Sequence, residues 1–219
     1  MAAVFEWVEY ILEEMKTRTD PEADDLISLL IHTDGEPLSV DDLIYETMLI
    51  LVGGDETTRH VMSGGLEALL LHPAQMAALQ ADRSLLPSAI EEMLRWVTPV
   101  RNMNRTATAD VVLGDQQILE GDRLLLLYQS ANRDEDVFER AEEFDITRTP
   151  NPHVAFGGNG RHFCLGAQLA RLELKVLFEE VLDRLPEIEL ITPDIRQPER
   201  SGNFVLGIET LPVRWPQAG

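Results

Sequence analysis

The sequence predicts a mainly α-helical chain with small β-sheets. Helical periodicity covers most of the first hundred residues and includes one predicted helix of about thirty residues after Ser39. Between residues 100 and 128 the pattern changes to short β runs separated by Gly-Asp turns. A helical pattern returns at 165–185, before an alternating tail at 187–213. These observations favour a helical core with strands confined to the middle and the tail.

The N-terminal helices are predicted at 3–16 and 22–32, separated by Asp20-Pro21 and ended by a turn at 34–37. Ser39 is followed three residues later by an acidic residue, which resembles a capping box. The helix that it opens runs to His72-Pro73, and such a length marks an element that crosses the core.

This long helix contains two adjacent glycines, Gly53 and Gly54, followed by Thr57 and Thr58. Two glycines cost a helix about 2 kcal/mol relative to alanine, and a threonine hydroxyl can bond back to the preceding turn and bend the axis. We therefore expect the helix to be distorted at this point.

The remaining elements are marked by prolines and glycines. Pro73 and Pro87 suit the first turns of two shorter helices, and Pro186 ends the helix at 165–185. Residues 134–163 form a long turn-rich connection, and a connection of this length is usually functional. The predicted strands cover residues 101–106, 110–113, 116–119 and 123–127.

The charge and the composition exclude several functions. A net charge of −21 argues against nucleic acid or an anionic membrane as a partner. No segment approaches the roughly 20 uninterrupted apolar residues of a membrane span. The N-terminus lacks the basic flank and the cleavage site of a signal peptide. We therefore expect a cytoplasmic enzyme.

The single cysteine, Cys164, stands in a glycine-rich loop at 156–166 that leads into a helical pattern. A thiol at a helix N-terminus lies near the positive end of the helix dipole, which favours the thiolate that a metal requires. Arg161 and His162 add positive charge beside it. An isolated cysteine is more often a small buried apolar residue, but the loop favours a metal ligand.

This loop resembles the haem-binding loop of the cytochromes P450, the haem-thiolate monooxygenases. The resemblance implies that Cys164 is the axial ligand of a haem b iron. It also implies that glycines such as Gly158 and Gly166 let the backbone approach the porphyrin. The family places its phenylalanine seven residues before the cysteine, whereas Phe156 stands eight before it, so we expect Phe156 to shield the sulfur from a different angle.

The segment from Gly53 to Thr58 has the order that lies over the haem in the same family, where the glycines open a groove for dioxygen. By that likeness Gly54 belongs to the cofactor site, and Glu56 and Thr57 are the catalytic residues that relay protons. Without the resemblance, the segment is equally typical of a buried helix that tolerates glycine.

Glu92 and Arg95 would ordinarily form a surface ion pair. Their place between the two other motifs resembles the Glu-x-x-Arg pair of the family, which implies a buried structural ion pair. The resemblance also assigns Arg105 and His162 to the haem propionates.

The family adds a third basic residue to this pair, immediately before a phenylalanine, but Glu143 stands before Phe144 here. Arg148 and His153 are the two alternatives.

The substrate site implied by the family includes a set of mainly apolar residues. An apolar pocket favours an aliphatic or terpenoid substrate over a charged one, although the same residues would also suit an ordinary core. Segments at 49–60, 89–96 and 203–209 resemble actinobacterial steroid C26-monooxygenases, which oxidise the terminal methyl of the cholesterol side chain. The implied substrate residues are Leu49, Ile50, Gly53, Val100, Met103, Phe204 and Val205.

We therefore expect hydroxylation of an unactivated C–H bond, with cholesterol or cholestenone as substrate. A fatty-acid or terpenoid hydroxylase is the alternative. The resemblance implies O2 as co-substrate and electrons from NAD(P)H through a ferredoxin reductase and a ferredoxin. Arg161, Arg171 and Lys175, opposed by Glu173, predict a basic patch on which an acidic ferredoxin docks.

Complete members of the family are nearly twice as long as these 219 residues. We expect residues 1–219 to be the C-terminal part of one haem-thiolate domain whose N-terminal half is absent. From a different class of function, a truncated haem-binding module without turnover is the second hypothesis.

Overall fold

A computed structural model describes residues 2–32, 36–158, 160–192 and 202–216. The chain forms two units, Met1–Asp55 and Glu56–Gly219. Helix α3, Val40–Leu71, contributes its first part to one unit and its second part to the other.

The first unit contains helix α1, Ala2–Thr17, helix α2, Leu26–Ile31, and the first part of α3. Ile11 and Leu43 are buried in it. Helix α2 begins four residues later than the predicted helix at 22–32, because the carboxylate of Asp25 accepts the Ser28 N–H at 3.1 Å and caps the helix there. Most of the predicted turn at 34–37 lies outside the described residues.

The predicted start of α3 is confirmed. The Ser39 hydroxyl accepts the Asp42 N–H at 3.1 Å and donates to the Asp42 carboxylate at 2.6 Å. The helix then continues through Gly53 and Gly54 without a break, so the expected distortion does not interrupt it. Glycine keeps both backbone hydrogen-bonding groups, and the apolar residues on either side are adequate helix formers.

The second unit contains the rest of α3 and four further helices. Pro73 and Pro87 lie in first turns as predicted. The short helix α6 and a 3₁₀ turn at Arg83–Leu85 were not expected. The helices are α4, Pro73–Ala81, α5, Leu86–Val97, α6, Tyr128–Ala131, and α7, Ala167–Arg184.

The strands form three separate antiparallel pairs in the described residues. In the largest, β1 pairs with β4, and Arg105 stands opposite Leu124 while Met103 stands opposite Leu126. Opposite residues share a face of the sheet, so these four side chains lie on one side. The strands are β1, Asn102–Thr106, β2, Val111–Leu113, β3, Gln116–Ile118, β4, Arg123–Leu127, β5, Glu189–Leu190, and β6, Val213–Arg214.

Within its described residues, the alternating tail predicted at 187–213 forms a shorter pairing than expected. Strands β5 and β6 have two residues each, and Val205 makes an isolated antiparallel bridge to Val100. Residues 193–201 lie outside the described part of the chain.

The core of the second unit lies between α3, α4, α5 and α7. Leu69 of α3, Met93 of α5 and Leu174 and Phe178 of α7 are completely buried. Burial of these apolar side chains is the main force that holds α5 and α7 together. Among the described residues, no helix is both long and apolar enough to cross a membrane.

Candidate functional site

Cys164 lies at the entrance to α7 and is a half-buried free thiol. Its backbone N–H donates to the Phe156 carbonyl at 3.1 Å, and its own carbonyl accepts the Ala167 N–H at 3.3 Å. Gly166 occupies the N-cap position, where no side chain caps the helix. The cysteine is therefore fixed by backbone bonds at the N-terminus of α7, the positive end of the helix dipole.

The loop before Cys164 depends on glycine. Gly157 and Gly160 have φ angles of 84° and 117°, a region that side chains disfavour. Around Gly158 and Gly166, no atom of the described residues other than the adjacent ones lies within 4 Å of the place a Cβ would take. Open space therefore borders the loop at both positions.

Phe156 packs on the side of the loop that faces α7. Its ring centroid lies 6.3 Å from the Phe163 ring and 5.9 Å from the His153 ring. The Arg171 guanidinium lies 4.6 Å above the Phe156 ring, a cation–π contact. Phe156 thus joins Cys164 to α7 through its carbonyl and through its ring.

Glu92, Arg95 and Arg148 form a buried cluster. Arg95 bonds both Glu92 oxygens at 2.7 Å, and the Arg148 Nε lies 3.2 Å from Glu92 Oε2. Both Glu92 and Arg95 are completely buried. Of the two alternatives for the third basic residue, the structure selects Arg148.

The rest of the Arg95 guanidinium holds the connection that follows α6. It donates to the carbonyls of Asn132 and Ala141 at 2.8 Å and to that of Glu143 at 3.0 Å. Glu143 therefore contributes its backbone, where the family pattern led us to look for a basic side chain. The cluster ties α5 to residues 132–148, which lead to the cysteine loop.

A second charge cluster surrounds Glu91, the neighbour of Glu92. Arg171 holds Glu91 with two hydrogen bonds of 2.7 and 2.9 Å, and His153 Nε2 lies 3.0 Å from Glu91 Oε2. Burial alone would raise the pKa of Glu91, but the bonds from Arg171 and His153 outweigh it and lower that pKa from 4.5 to about 2. The same bonds to Glu91 raise the pKa of Arg171.

This cluster corrects the expectation of a free basic patch. Arg171 is committed to Glu91, and Lys175 pairs with Glu179 at 3.1 Å. Arg161 is exposed and forms no ion pair within the described part of the chain. The interaction between Glu91 and Arg171 was missed, because eighty residues separate them.

Glu56 and Thr57 lie near the middle of α3, and both are partly exposed. Glu56 pairs with Arg59, and its Oε2 lies 3.0 Å from His60 Nε2. Sequence reasoning overlooked His60, although its position four residues after Glu56 on a predicted helix places both on one face. Leu49, Ile50, Gly53 and Gly54 belong to the part of α3 in the first unit.

The predicted substrate residues of the second unit are partly brought together. Val100 and Val205 form the antiparallel bridge, and the carbonyl of Phe204 accepts the Arg101 N–H at 2.8 Å. Phe204 is half exposed. Met103 follows on β1, on the same face of the sheet as Arg105.

Comparison with known proteins decides the family. A model of the cytochrome P450 family matches residues 1–211. The chain belongs to the cytochrome P450 family.

Curated cytochrome P450 relatives include a steroid C26-monooxygenase from Mycobacterium tuberculosis, 54% identical over 90% of this chain and 53% of its own length. A methyl-branched lipid omega-hydroxylase from Mycobacterium bovis is 43% identical over 88% of this chain and 45% of its own length. The chain thus spans about half the length of the curated relatives it matches.

Solved cytochrome P450 structures have the same fold. CYP109E1 from Bacillus megaterium, in complex with testosterone, superposes with a TM-score of 0.90 at 34% identity, over 98% of this chain and 60% of that one. CYP268A2 from Mycobacterium marinum, in complex with pseudoionone, gives a TM-score of 0.86 at 40% identity, over 96% of this chain and 51% of that one. The mainly helical fold with small sheets predicted from the sequence is confirmed.

The residues present fit the haem that the cytochrome P450 family implies. A thiol stands at a helix N-terminus beside open space, and the apolar side chains of Phe163 and Leu165 next to it are exposed. Arg105 and His162 are exposed, and neither has a carboxylate partner in the described part of the chain. A cysteine sulfur, apolar surface and two available basic side chains match a planar apolar ring that carries an iron and two carboxylates.

Proposed function

We propose that this chain is the haem-binding part of a monooxygenase that hydroxylates an unactivated C–H bond of an apolar substrate. The observation that carries the proposal is Cys164, which backbone bonds to Phe156 and Ala167 fix at the N-terminus of α7. When bound, a thiolate-ligated haem supplies the dioxygen cleavage that such a hydroxylation requires.

The cofactor would be held by residues of the cysteine loop and by Arg105. In this proposal Cys164 is the iron ligand, and Arg105 and His162 bind the propionates with charge-assisted hydrogen bonds. Phe156 supports the loop, and Gly158 and Gly166 leave room for the ring. Gly54, on the part of α3 in the first unit, is assigned to the cofactor by the family likeness. The buried cluster of Glu92, Arg95 and Arg148 keeps the connection to the loop in place.

Protons would be delivered by Glu56 and Thr57. The Glu56 side chain is 37% exposed, so it can exchange protons with solvent while it stays bonded to His60. Thr57 is the next residue on α3, and its hydroxyl can pass a proton because it both donates and accepts hydrogen bonds.

The substrate that we propose is a sterol side chain, with cholesterol or cholestenone as the first candidates. Relatives at about half sequence identity carry the name steroid C26-monooxygenase. The Val100–Val205 bridge and the half-exposed Phe204 give an apolar lining in the second unit. By the family likeness, the proposed substrate residues also include Met103 of the second unit and, on the part of α3 in the first unit, Leu49, Ile50 and Gly53.

Two measurements test this function in order. The dithionite-reduced chain with carbon monoxide should show the red-shifted Soret band of a thiolate-ligated haem, and Cys164→Ser should lose that band. Cholestenone should then shift the haem spin state and yield a terminal alcohol. Without the band in the wild-type chain, the haem-thiolate proposal fails.

A methyl-branched fatty acid is the second substrate candidate, because the omega-hydroxylase relative is 43% identical. If the chain shows the Soret band and hydroxylates this acid but not cholestenone, the proposed sterol substrate is rejected. The proposed hydroxylation is then retained. A chain that binds haem and gives neither product would instead be a binding module without turnover.

The proposed electron donor is an acidic ferredoxin that receives electrons from NAD(P)H through its reductase. Arg161 is the exposed arginine nearest in sequence to Cys164, and Arg171 is committed to Glu91. Arg161→Glu should therefore raise the KM for ferredoxin, and Arg123→Glu, an exposed site on β4, is the control. An unchanged KM in Arg161→Glu would reject this docking site.

A further inference from the structure

His60 is a buried histidine on α3 to which the proposed function assigns no role. Its side chain is 5% exposed, and its Nε2 lies 3.0 Å from Glu56 Oε2. The other Glu56 oxygen faces Arg59. The Glu56 carboxylate is therefore held between one buried and one exposed basic side chain.

The backbone of Gly207 encloses the His60 ring on another side. A Cβ at Gly207 would overlap the imidazole, so the Gly207 backbone lies directly against the ring. His60 and Gly207 also line a small cavity, together with Glu67 of α3 and Arg101 of the segment before β1. The Gly207 backbone therefore closes this side of the imidazole for as long as the tail stays in place.

The tail around Gly207 is anchored to the segment before β1. The Leu206 N–H donates to the Pro99 carbonyl at 2.9 Å, and the Arg101 N–H donates to the Phe204 carbonyl at 2.8 Å. Phe204 and Val205 are the proposed substrate contacts of this tail. A continuous set of contacts therefore leads from them through Gly207 and His60 to Glu56.

We propose that His60 is a positioning residue that fixes the carboxylate of Glu56 for proton delivery, and that the Gly207 backbone holds His60 in place. The proposal rests on the proposed function to the extent that Glu56 delivers protons. His60 acts through Glu56 and does not touch the reacting atoms.

The first experiment reads the contact directly, by ¹⁵N NMR of the histidine ring nitrogens. The diamagnetic carbon monoxide form is used, or the chain as purified if it holds no haem. His60→Gln assigns the signal by its loss. Glu56→Ala and Gly207→Ala should both shift the His60 Nε2 resonance, because one removes the hydrogen-bond partner and the other displaces the ring.

Gly202→Ala is the matched control in the same tail. A Cβ there would meet the flexible end of the Leu206 side chain and would not reach His60. It should leave the resonance in place. If Glu56→Ala leaves the Nε2 resonance unchanged, or if Gly202→Ala shifts it as much as Gly207→Ala does, the proposed contact is wrong.

The second experiment compares two amide substitutions. The side-chain nitrogen of His60→Gln can occupy the place of Nε2, whereas that of His60→Asn corresponds to Nδ1. In the haem-loaded protein supplied with electrons, His60→Gln should keep the wild-type ratio of product to peroxide. His60→Asn should release several times more peroxide per NADH while it retains the Soret band and the substrate-induced spin shift.

A purely structural role for His60 predicts a different result. Both amides would lower the midpoint of unfolding, and the ratio of product to peroxide would stay the same in both, which would overturn the proposal. Absence of the red-shifted Soret band in the wild-type chain would instead reject the proposed function. The NMR measurement would still decide whether His60 holds Glu56.

Discussion

The Arg148 Nε lies 3.2 Å from Oε2 of Glu92, the same oxygen that accepts the Nε–H of Arg95 at 2.7 Å. One buried carboxylate therefore serves two guanidinium groups. Asn151 also donates to this oxygen at 3.1 Å, so each side chain near Glu92 depends on the same acceptor. The cluster should respond to substitution as a unit.

Arg148→Ala should lower the free energy of unfolding by about 3–5 kcal/mol, because it breaks a buried ion pair. It also removes guanidinium bonds to the carbonyls of Glu139, Arg140 and Glu143. Urea unfolding measures the change. Arg184→Ala is the control, since Arg184 forms an exposed pair with Glu180 and should change the free energy by less than about 1 kcal/mol. If both variants lower the free energy of unfolding equally, the proposed stabilising role of Arg148 in the buried cluster is contradicted.

Acid should weaken the cluster around Glu91. The pKa of Glu91 is lowered to about 2, so its ionised form stabilises the folded chain fully above pH 4.5, and this contribution is lost as the pH falls toward 2. The carboxylate is 30% exposed. We therefore expect the free energy of unfolding at pH 6 to be about 2 kcal/mol higher for wild type than for Glu91→Gln, after allowance for solvent screening.

Unfolding by urea at a series of pH values between 6 and 3 measures this difference. The difference in the free energy of unfolding between wild type and Glu91→Gln should decrease as the pH falls. Glu187→Gln provides the comparison, as Glu187 is exposed. A difference that stays constant across this range would show that the ionisation of Glu91 does not stabilise the fold.

Arg105→Leu and His162→Leu should each weaken haem binding by roughly 10–100-fold, the loss expected for one charge-assisted hydrogen bond to a propionate. Transfer of haem to apomyoglobin measures the affinity. Arg123→Leu is the control, because Arg123 pairs in register with Thr106 and lies on the other face of the same sheet. If Arg123→Leu weakens binding as much as Arg105→Leu does, the assignment to propionates is wrong.

Thr57→Ala should leave the reduced carbon monoxide spectrum unchanged and increase the peroxide released per NADH consumed, because it removes the hydroxyl that passes protons. Ser63→Ala is the matched control on α3. The Ser63 hydroxyl bonds back to the Arg59 carbonyl at 3.1 Å and has no proposed part in the relay. If Thr57→Ala releases no more peroxide per NADH than wild type does, the proposed role of Thr57 in proton delivery is rejected.

The order and the chemistry of the motifs could be predicted from the sequence. The cysteine loop, the helix with Glu56 and Thr57, and the Glu92–Arg95 pair are local patterns, in which spacing along one helix or loop determines which side chains are neighbours. The cap at Ser39 and the first-turn positions of Pro73 and Pro87 were predicted for the same reason.

Contacts between distant segments could not be predicted. Arg148 and His153 were equal alternatives for Glu92, and the fold gives Arg148 to Glu92 and His153 to Glu91. Arg171 was expected to be available to a partner, but folding brings Glu91 within 2.7 Å of it. An ion pair depends on which charge lies within about 4 Å after the chain has folded, and burial then decides how strongly the pair is held.

The sequence by itself therefore determined the family, the helical framework and the cysteine that can bind a metal, because these depend on residue type and short-range spacing. Only the tertiary structure decided which basic side chains are committed to Glu91 and Glu92 and which remain available. It alone placed Gly207 against His60, since that contact joins residues almost 150 positions apart through close packing.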